Sequence, residues 1–170
     1  AHDGVLYPKE VLYATRMTDK LNAYAPGAPE HVQLAARCQH IGRWELARDT
    51  FSKDKKGYLQ WRSQLAMHHA KTAGNILQQC DYDDEMIEKV KFLLLKKQLR
   101  QNAETQLLED VICLVFIQYY LSGFAAQHEE DKVIDIIKKT MQKMSARALD
   151  AAMQLPIDEA VKKLLVRAAG

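Results

Sequence analysis

The chain has 170 residues, of which 48% are hydrophobic and 27% are charged, and its formal net charge is +2. These values exclude a disordered tail and a fibrous repeat, and the longest apolar run, residues 111–117, is far shorter than the ~20 residues that cross a bilayer. We therefore expect a soluble globular chain without a membrane partner, located inside the cell in the cytoplasm, with Cys38, Cys80 and Cys113 as reduced thiols.

Helical periodicity covers the chain, and no strand alternation competes with it. The first helix is predicted over residues 8–24, and a turn rich in proline separates it from a second helix that runs from residue 30 to residue 40 or 41 and that Gly42 would end in a left-handed cap. A polar connection leads to a third helix. The third to seventh helices are predicted over residues 57–79, 84–99, 104–126, 129–154 and 158–168. The predicted fold class is all-α, with one domain of about seven helices over residues 1–170.

Positive charge is concentrated in one segment. Residues 37–71 contain eight basic and three acidic side chains, a local charge of +5, which favours an anionic partner. Nucleic acid is disfavoured as that partner, because the excess is modest and no recognition motif accompanies it. Trp44 and Trp61 in this segment are predicted to be packing anchors between helices.

Three polar side chains fall on helix faces whose pattern is otherwise apolar: His40, His69 and Asp110. His40 continues the four-residue steps of the second helix. His69 lies in the apolar stripe of the third helix, which is expected to reach Ile76, and His68 is at the edge of that stripe. An unpaired buried carboxylate would cost several kcal/mol, so Asp110 requires a partner, either a cation, a histidine or a metal ion.

Two interpretations of this set remain open. Imidazole and carboxylate groups from three helices suit one divalent metal ion, such as zinc, iron, manganese or nickel. The alternative is a buried hydrogen bond between the aspartate and a histidine that only fixes the register of the helices.

The order of these residues resembles the HD superfamily of all-α, metal-dependent phosphohydrolases. The matching segments are residues 34–43, 69–77 and 108–116. The resemblance implies an HD-like core over about residues 7–126, followed by packing helices over residues 129–168. The chain departs from the family pattern at Gln39-His40, where the family has its His-Asp doublet, and at Tyr13, where a histidine is expected.

More closely, the chain resembles an HD-like family, the domain of unknown function numbered 4202 (DUF4202). The segments that carry this likeness are residues 7–13, 39–44, 57–62, 109–116 and 143–145. The likeness implies a fold and no established reaction.

The HD resemblance implies a rearranged mononuclear metal site, because glutamine is a poor ligand for transition metals. Its expected ligands are His40, His69, Asp110 and, one turn before Tyr13, Glu10. Water on such a metal would attack a phosphate ester. The residues expected to bind the substrate are Arg37, Gln39, Arg43, Arg62 and His68.

Three functions follow as hypotheses. The first is a metal-dependent phosphohydrolase acting on a small phosphorylated or nucleotide-like substrate. The alternative is a non-catalytic HD-like module that binds an anionic ligand or a protein partner, which the altered doublet favours. An oxygenase of the HD type ranks last, because the chain has too few inward ligands for a dinuclear centre. The oligomeric state is left open.

Overall fold

The computed structural model describes residues 8–170, and helix is the only regular secondary structure in that range. Residues 1–7 of the predicted domain, including Tyr7 of the first family segment, lie outside the described part. Over residues 8–170 the α-helices are α1 Lys9–Tyr24, α2 Glu30–Arg37, α3 Lys55–Gln79, α4 Asp84–Leu94, α5 Ala103–Tyr119, α6 Leu121–Ala125, α7 Glu130–Met141, α8 Ala146–Met153 and α9 Glu159–Ala169. The predicted all-α class is confirmed. None of the described helices is long and apolar enough to cross a membrane.

Several predicted helices end early or divide. The helix predicted over residues 84–99 ends at Leu94, and the one predicted over residues 104–126 is interrupted at Tyr120 between α5 and α6. The helix predicted over residues 129–154 divides into α7 and α8 because Ser145 begins a new helix: its hydroxyl accepts a hydrogen bond from the Ala148 amide.

The end of α4 is followed by an unusual backbone. Lys96, Gln98 and Arg100 all have positive φ angles, of 53°, 58° and 72°. None of them is a glycine, and each such L-residue costs roughly 1–2 kcal/mol in the left-handed region. These left-handed residues explain why the helix does not continue to residue 99 as predicted.

The chain divides into two compact units, unit 1 over Ala1–Leu108 and unit 2 over Glu109–Gly170. The single domain over residues 1–170 stays a prediction.

In unit 1, α2 packs on α1 and on α4, and α4 packs on α3. The core is formed by apolar side chains from all four helices, among them Met17, Leu21, Val32, Ala36, Leu65, Val90 and Leu93. Trp61 is buried, as predicted. The buried stripe of α3 passes from Ala73 to Leu77, whereas Ile76 is 43% exposed, so the predicted end of that stripe was wrong by one position.

In unit 2, α7 packs on α9, and α6 touches both. The buried side chains include Leu121 of α6, Val133 and Ile137 of α7, and Leu165 of α9. Asp158 caps α9 by accepting a hydrogen bond from an amide of its first turn.

Candidate functional site

A turn, not a helix, presents His40. Helix α2 ends at Arg37, and residues 38–42 form consecutive turns in which the amides of Ile41 and Arg43 donate to carbonyls three residues earlier. The predicted continuation of the helix to residue 40 or 41 was therefore wrong. Gly42 adopts the predicted left-handed conformation, with φ of 62°, but it is the last residue of these turns and does not cap α2.

His40 is held between an aromatic ring and a guanidinium group. Its ring stacks on Tyr13 of α1, with the ring centres 3.6 Å apart and the planes 11° from parallel. Its Nε2 lies 3.0 Å from Nη1 of Arg43, which can only donate, so Nε2 accepts and the ring proton is on Nδ1. Burial, reinforced by the charge of Arg43, lowers the pKa of His40 to about 2.

His69 of α3 lies beside this pair, with its ring centre 6.4 Å from that of His40. Nδ1 donates a 2.6 Å hydrogen bond to the carbonyl of Ile41, and this fixes the tautomer in which Nε2 carries a lone pair. The side chain is only 6% exposed, and Nε2 has no hydrogen-bond partner among the described residues. Burial lowers the pKa of His69 to about 4, so the ring is neutral at physiological pH.

His68 stabilises the same turn from the next position of α3. Its Nε2 lies 3.1 Å from the carbonyl of Gly42, which accepts the hydrogen bond, and 3.3 Å from a carboxylate oxygen of Glu45. A Cβ atom on Gly42 would come within 2.8 Å of that nitrogen. The close approach of the turn to α3 therefore requires glycine at this position.

Beyond the turn, three guanidinium groups lie on two aromatic rings, and we call this set the arginine–aromatic cluster: Arg43, Arg48, Arg62, Tyr58 and Trp61. The guanidinium carbon of Arg43 is 5.0 Å from the Trp61 ring centre, that of Arg48 is 5.9 Å from Trp61 and 6.0 Å from Tyr58, and that of Arg62 is 6.0 Å from Tyr58. Such stacking orients a guanidinium and leaves its edges free to bind oxygen atoms.

Hydrogen bonds fix this cluster to the connection between α2 and α3. The indole of Trp61 donates to the Leu46 carbonyl at 3.0 Å, and Arg48 donates to the Phe51 carbonyl at 3.1 Å. No carboxylate forms an ion pair with Arg43, Arg48 or Arg62 in the described part of the chain. The cluster is therefore a concentration of positive charge that is open to an anion.

The remaining residues predicted to bind substrate are placed differently. Arg37 is exposed and donates to the Thr18 hydroxyl of α1 at 3.4 Å. Gln39 is 7% exposed, and its amide donates back to the Ala35 carbonyl. Arg43 and Arg62 are the two members of the predicted set that belong to the arginine–aromatic cluster.

Sequence reasoning missed the part played by Arg48 and Tyr58, and it misplaced Trp44. Arg48 and Tyr58 both precede Trp61 in the basic segment, and the mixture of basic and aromatic residues there was the signal that could have found them. Trp44, predicted to be a packing anchor, is 66% exposed, so that prediction was wrong. Its neighbour Arg43 lies over the ring of Trp61, with the guanidinium carbon 5.0 Å from the ring centre.

In unit 2, Asp110 of α5 has a partner that the sequence analysis did not anticipate. One carboxylate oxygen accepts from the Ser145 amide at 2.8 Å and the other from the Ser145 hydroxyl at 2.5 Å. The neighbouring Glu109 lies 3.6 Å from the ammonium group of Lys143. Asp110 and Glu109 therefore join α5 to the segment that begins α8, and no signal in helical periodicity connects positions 35 residues apart.

The residues predicted as metal ligands differ in their surroundings, and the metal site stays a prediction. Across residues 8–170, no group of three His, Cys, Asp or Glu side chains is arranged to hold an ion. His69 offers a lone pair, but that of His40 is engaged by Arg43, and both oxygens of Asp110 accept hydrogen bonds from Ser145. Glu10 on α1 is half-buried and close enough to favour the charged form of Arg43.

The fold and the site define the chain as an all-helical protein with a histidine and arginine cluster beside a glycine turn. The family model described as Domain of unknown function (DUF4202) matches residues 1–165. The chain belongs to the DUF4202 family, as its sequence segments indicated. No curated protein and no solved structure matches the chain at a significant level.

Proposed function

We propose that this chain binds a small phosphorylated ligand at the arginine–aromatic cluster. The observation that carries the proposal is that Arg43, Arg48 and Arg62 are gathered on two aromatic rings and form no ion pair with a carboxylate among the described residues. Like charges held close together repel one another, and a bound anion would offset that repulsion.

The chemistry of the cluster favours phosphate. A guanidinium presents N–H groups in a planar fork that matches two oxygens of a phosphate group, and stacking on Tyr58 and Trp61 holds these forks in place. A shallow depression of about 520 Å³ opens beside Arg48 and is also lined by Lys53. Asp49 lines it as well, so the strongest positive potential is expected toward Arg43 and Arg62.

Titration calorimetry at low ionic strength, with inorganic phosphate and pyrophosphate as probes, tests this proposal. Each charge-assisted hydrogen bond contributes about 1.5–3 kcal/mol, so Arg62→Ala should weaken binding by roughly 10–100-fold. Lys71→Ala, which removes one exposed positive charge from the same helix, is the matched control and should leave the affinity nearly unchanged. Absence of binding to the wild-type chain at millimolar concentrations of both probes would contradict the proposal.

A metal-dependent phosphohydrolase is the second candidate, and one observation favours it. A histidine whose Nδ1–H donates to a backbone carbonyl and whose Nε2 is bare has the orientation common among metal ligands, and His69 has both properties. A divalent ion held there would supply an acidified water for attack on a phosphate ester. Its test is metal analysis of protein purified without chelator. Stoichiometric metal that is lost in His69→Gln would support this candidate, and metal well below stoichiometry would count against it.

Two broader predictions belong to the same proposal. A relation of the chain to the HD superfamily is supported by its all-helical fold and by the nearness of His40 and His69. An intracellular, cytoplasmic location is supported by its cysteines, which are free thiols, and burial raises the pKa of Cys38 to about 11.

A further inference from the structure

The guanidinium of Arg43 lies where a metal ion would bind His40. The lone pair on Nε2 is the one that a metal ion would use, and Nη1 of Arg43 donates to it at 3.0 Å. On its other side, the guanidinium lies over the ring of Trp61. The acceptor and the ring together fix both the position and the plane of the group.

The orientation of the His40 ring is also fixed. Its ring is stacked on the buried ring of Tyr13, so the direction of the Nε2 lone pair is set by α1. Because it is neutral and carries its proton on Nδ1, His40 can only accept from Arg43 at Nε2. His40 is therefore placed to orient the arginine.

Arg43 retains most of its binding capacity. An arginine side chain has five N–H donors, and one of them is donated to His40. The other four have no acceptor among the described residues. They are available to the oxygens of a phosphate group. Burial and then the charge of Arg62 lower the pKa of Arg43, so Arg62 is close enough for both charges to act on one anion.

The charges around His40 also oppose a divalent ion. Burial disfavours protonation of His40 most, and the nearby charges of Arg43, Lys96 and Lys9 add to it. A second cation on the same nitrogen would have to displace a guanidinium and meet that positive field.

We propose that Arg43 takes, at His40, the place of the metal ion that the HD resemblance implies, so that the site binds phosphate without a divalent metal. In this arrangement Arg43 supplies the positive charge, and His40 is a positioning residue that acts through it. The inference rests on the proposed function, since it specifies how the same cluster holds its anion.

The first test compares the full chain, dialysed against a chelator, with the same chain supplied with micromolar Mn²⁺. Inorganic phosphate is titrated into each sample by calorimetry. We expect dissociation constants that agree within about twofold. Phosphate binding that falls by about tenfold or more in the chelated sample and returns with Mn²⁺ would overturn the inference and leave the proposed function standing. Absence of binding in both samples would overturn the two together.

The second test separates orientation from folding. His40→Phe keeps a ring on Tyr13 and removes the acceptor, whereas His40→Gln removes the ring and keeps an acceptor for Arg43. We expect phosphate binding to weaken by about tenfold in the phenylalanine variant and by less in the glutamine variant, with Lys71→Ala as the charge control.

A double-mutant cycle with Arg43→Lys completes the design. If His40 acts through the guanidinium, His40→Phe has little further effect on phosphate affinity once the fork has been replaced by an ammonium group. An equal loss of affinity from His40→Phe in the wild-type and Arg43→Lys backgrounds would refute the positioning role. Thermal melting of all variants identifies any loss that is due to unfolding.

Discussion

Replacement of Gly42 by alanine is a direct test of the turn that presents His40. The added Cβ has two consequences. It places an L-residue at φ of 62°, and it comes within 2.8 Å of Nε2 of His68. The imidazole must then move away from the Gly42 carbonyl, which accepts its hydrogen bond.

The size of the effect follows from these two terms. A left-handed L-residue costs roughly 1–2 kcal/mol. Loss of the hydrogen bond from His68 costs about 0.5–1.5 kcal/mol. We expect Gly42→Ala to lower the free energy of unfolding by about 1.5–3.5 kcal/mol, the sum of both.

Gly27→Ala is the matched control. Gly27 also has a positive φ, of 78°, but its Cβ would meet no atom within 4 Å, so only the backbone term applies. Urea unfolding of both variants therefore isolates the clash with His68 as a difference of about 1 kcal/mol. In a His68→Ala background that difference should disappear. Equal destabilisation by the two glycine replacements in the wild-type background would refute the close contact between the turn and α3.

Three further predictions concern pH and the second unit. Since burial lowers the pKa of His40 to about 2 and that of His69 to about 4, the unfolded chain gains protons below pH 6.5 that the folded chain does not. Stability should fall as pH falls from 6.5 toward 4, by up to about 1.4 kcal/mol per pH unit for each ring, and urea unfolding of His69→Gln should show a shallower slope than wild type. Ser145→Ala removes the cap of α8 and a hydroxyl donor to Asp110, so the free energy of unfolding should fall by about 2–3 kcal/mol. Ser145→Thr should lose less, and a loss below about 0.5 kcal/mol in the alanine variant would contradict this role. Gly123→Ala, within exposed helix and open space, should stabilise by about 0.5–1 kcal/mol in thermal or urea unfolding.

Helical periodicity predicted the fold class and the long helices, because a buried face repeats every three to four residues whatever it packs against. It located α3 to within two residues of its start and predicted that His69 faces inward. It failed where backbone geometry ends a helix without proline or glycine. The left-handed residues after Leu94 have charged or polar side chains, and these residue types do not predict a positive φ.

Helical periodicity also predicted only part of the candidate site. The inward position of His69 follows from a helical stripe, and the sequence contains Arg43 and Arg62 in a basic segment. The contact of Arg43 with His40 depends on a turn, however, and a helical wheel cannot give the conformation of a turn. The pairing of Asp110 with Ser145 depends on tertiary structure, which the spacing of residues along one helix does not contain.

The left-handed stretch after α4 also offers an engineering route. Gln98 adopts φ of 58°, where glycine has no steric penalty, so Gln98→Gly is expected to raise the melting temperature by relieving up to about 1 kcal/mol. The added stability would offset part of the stability lost when His40 or Arg43 is replaced. Ligand affinities could then be compared in chains that remain fully folded.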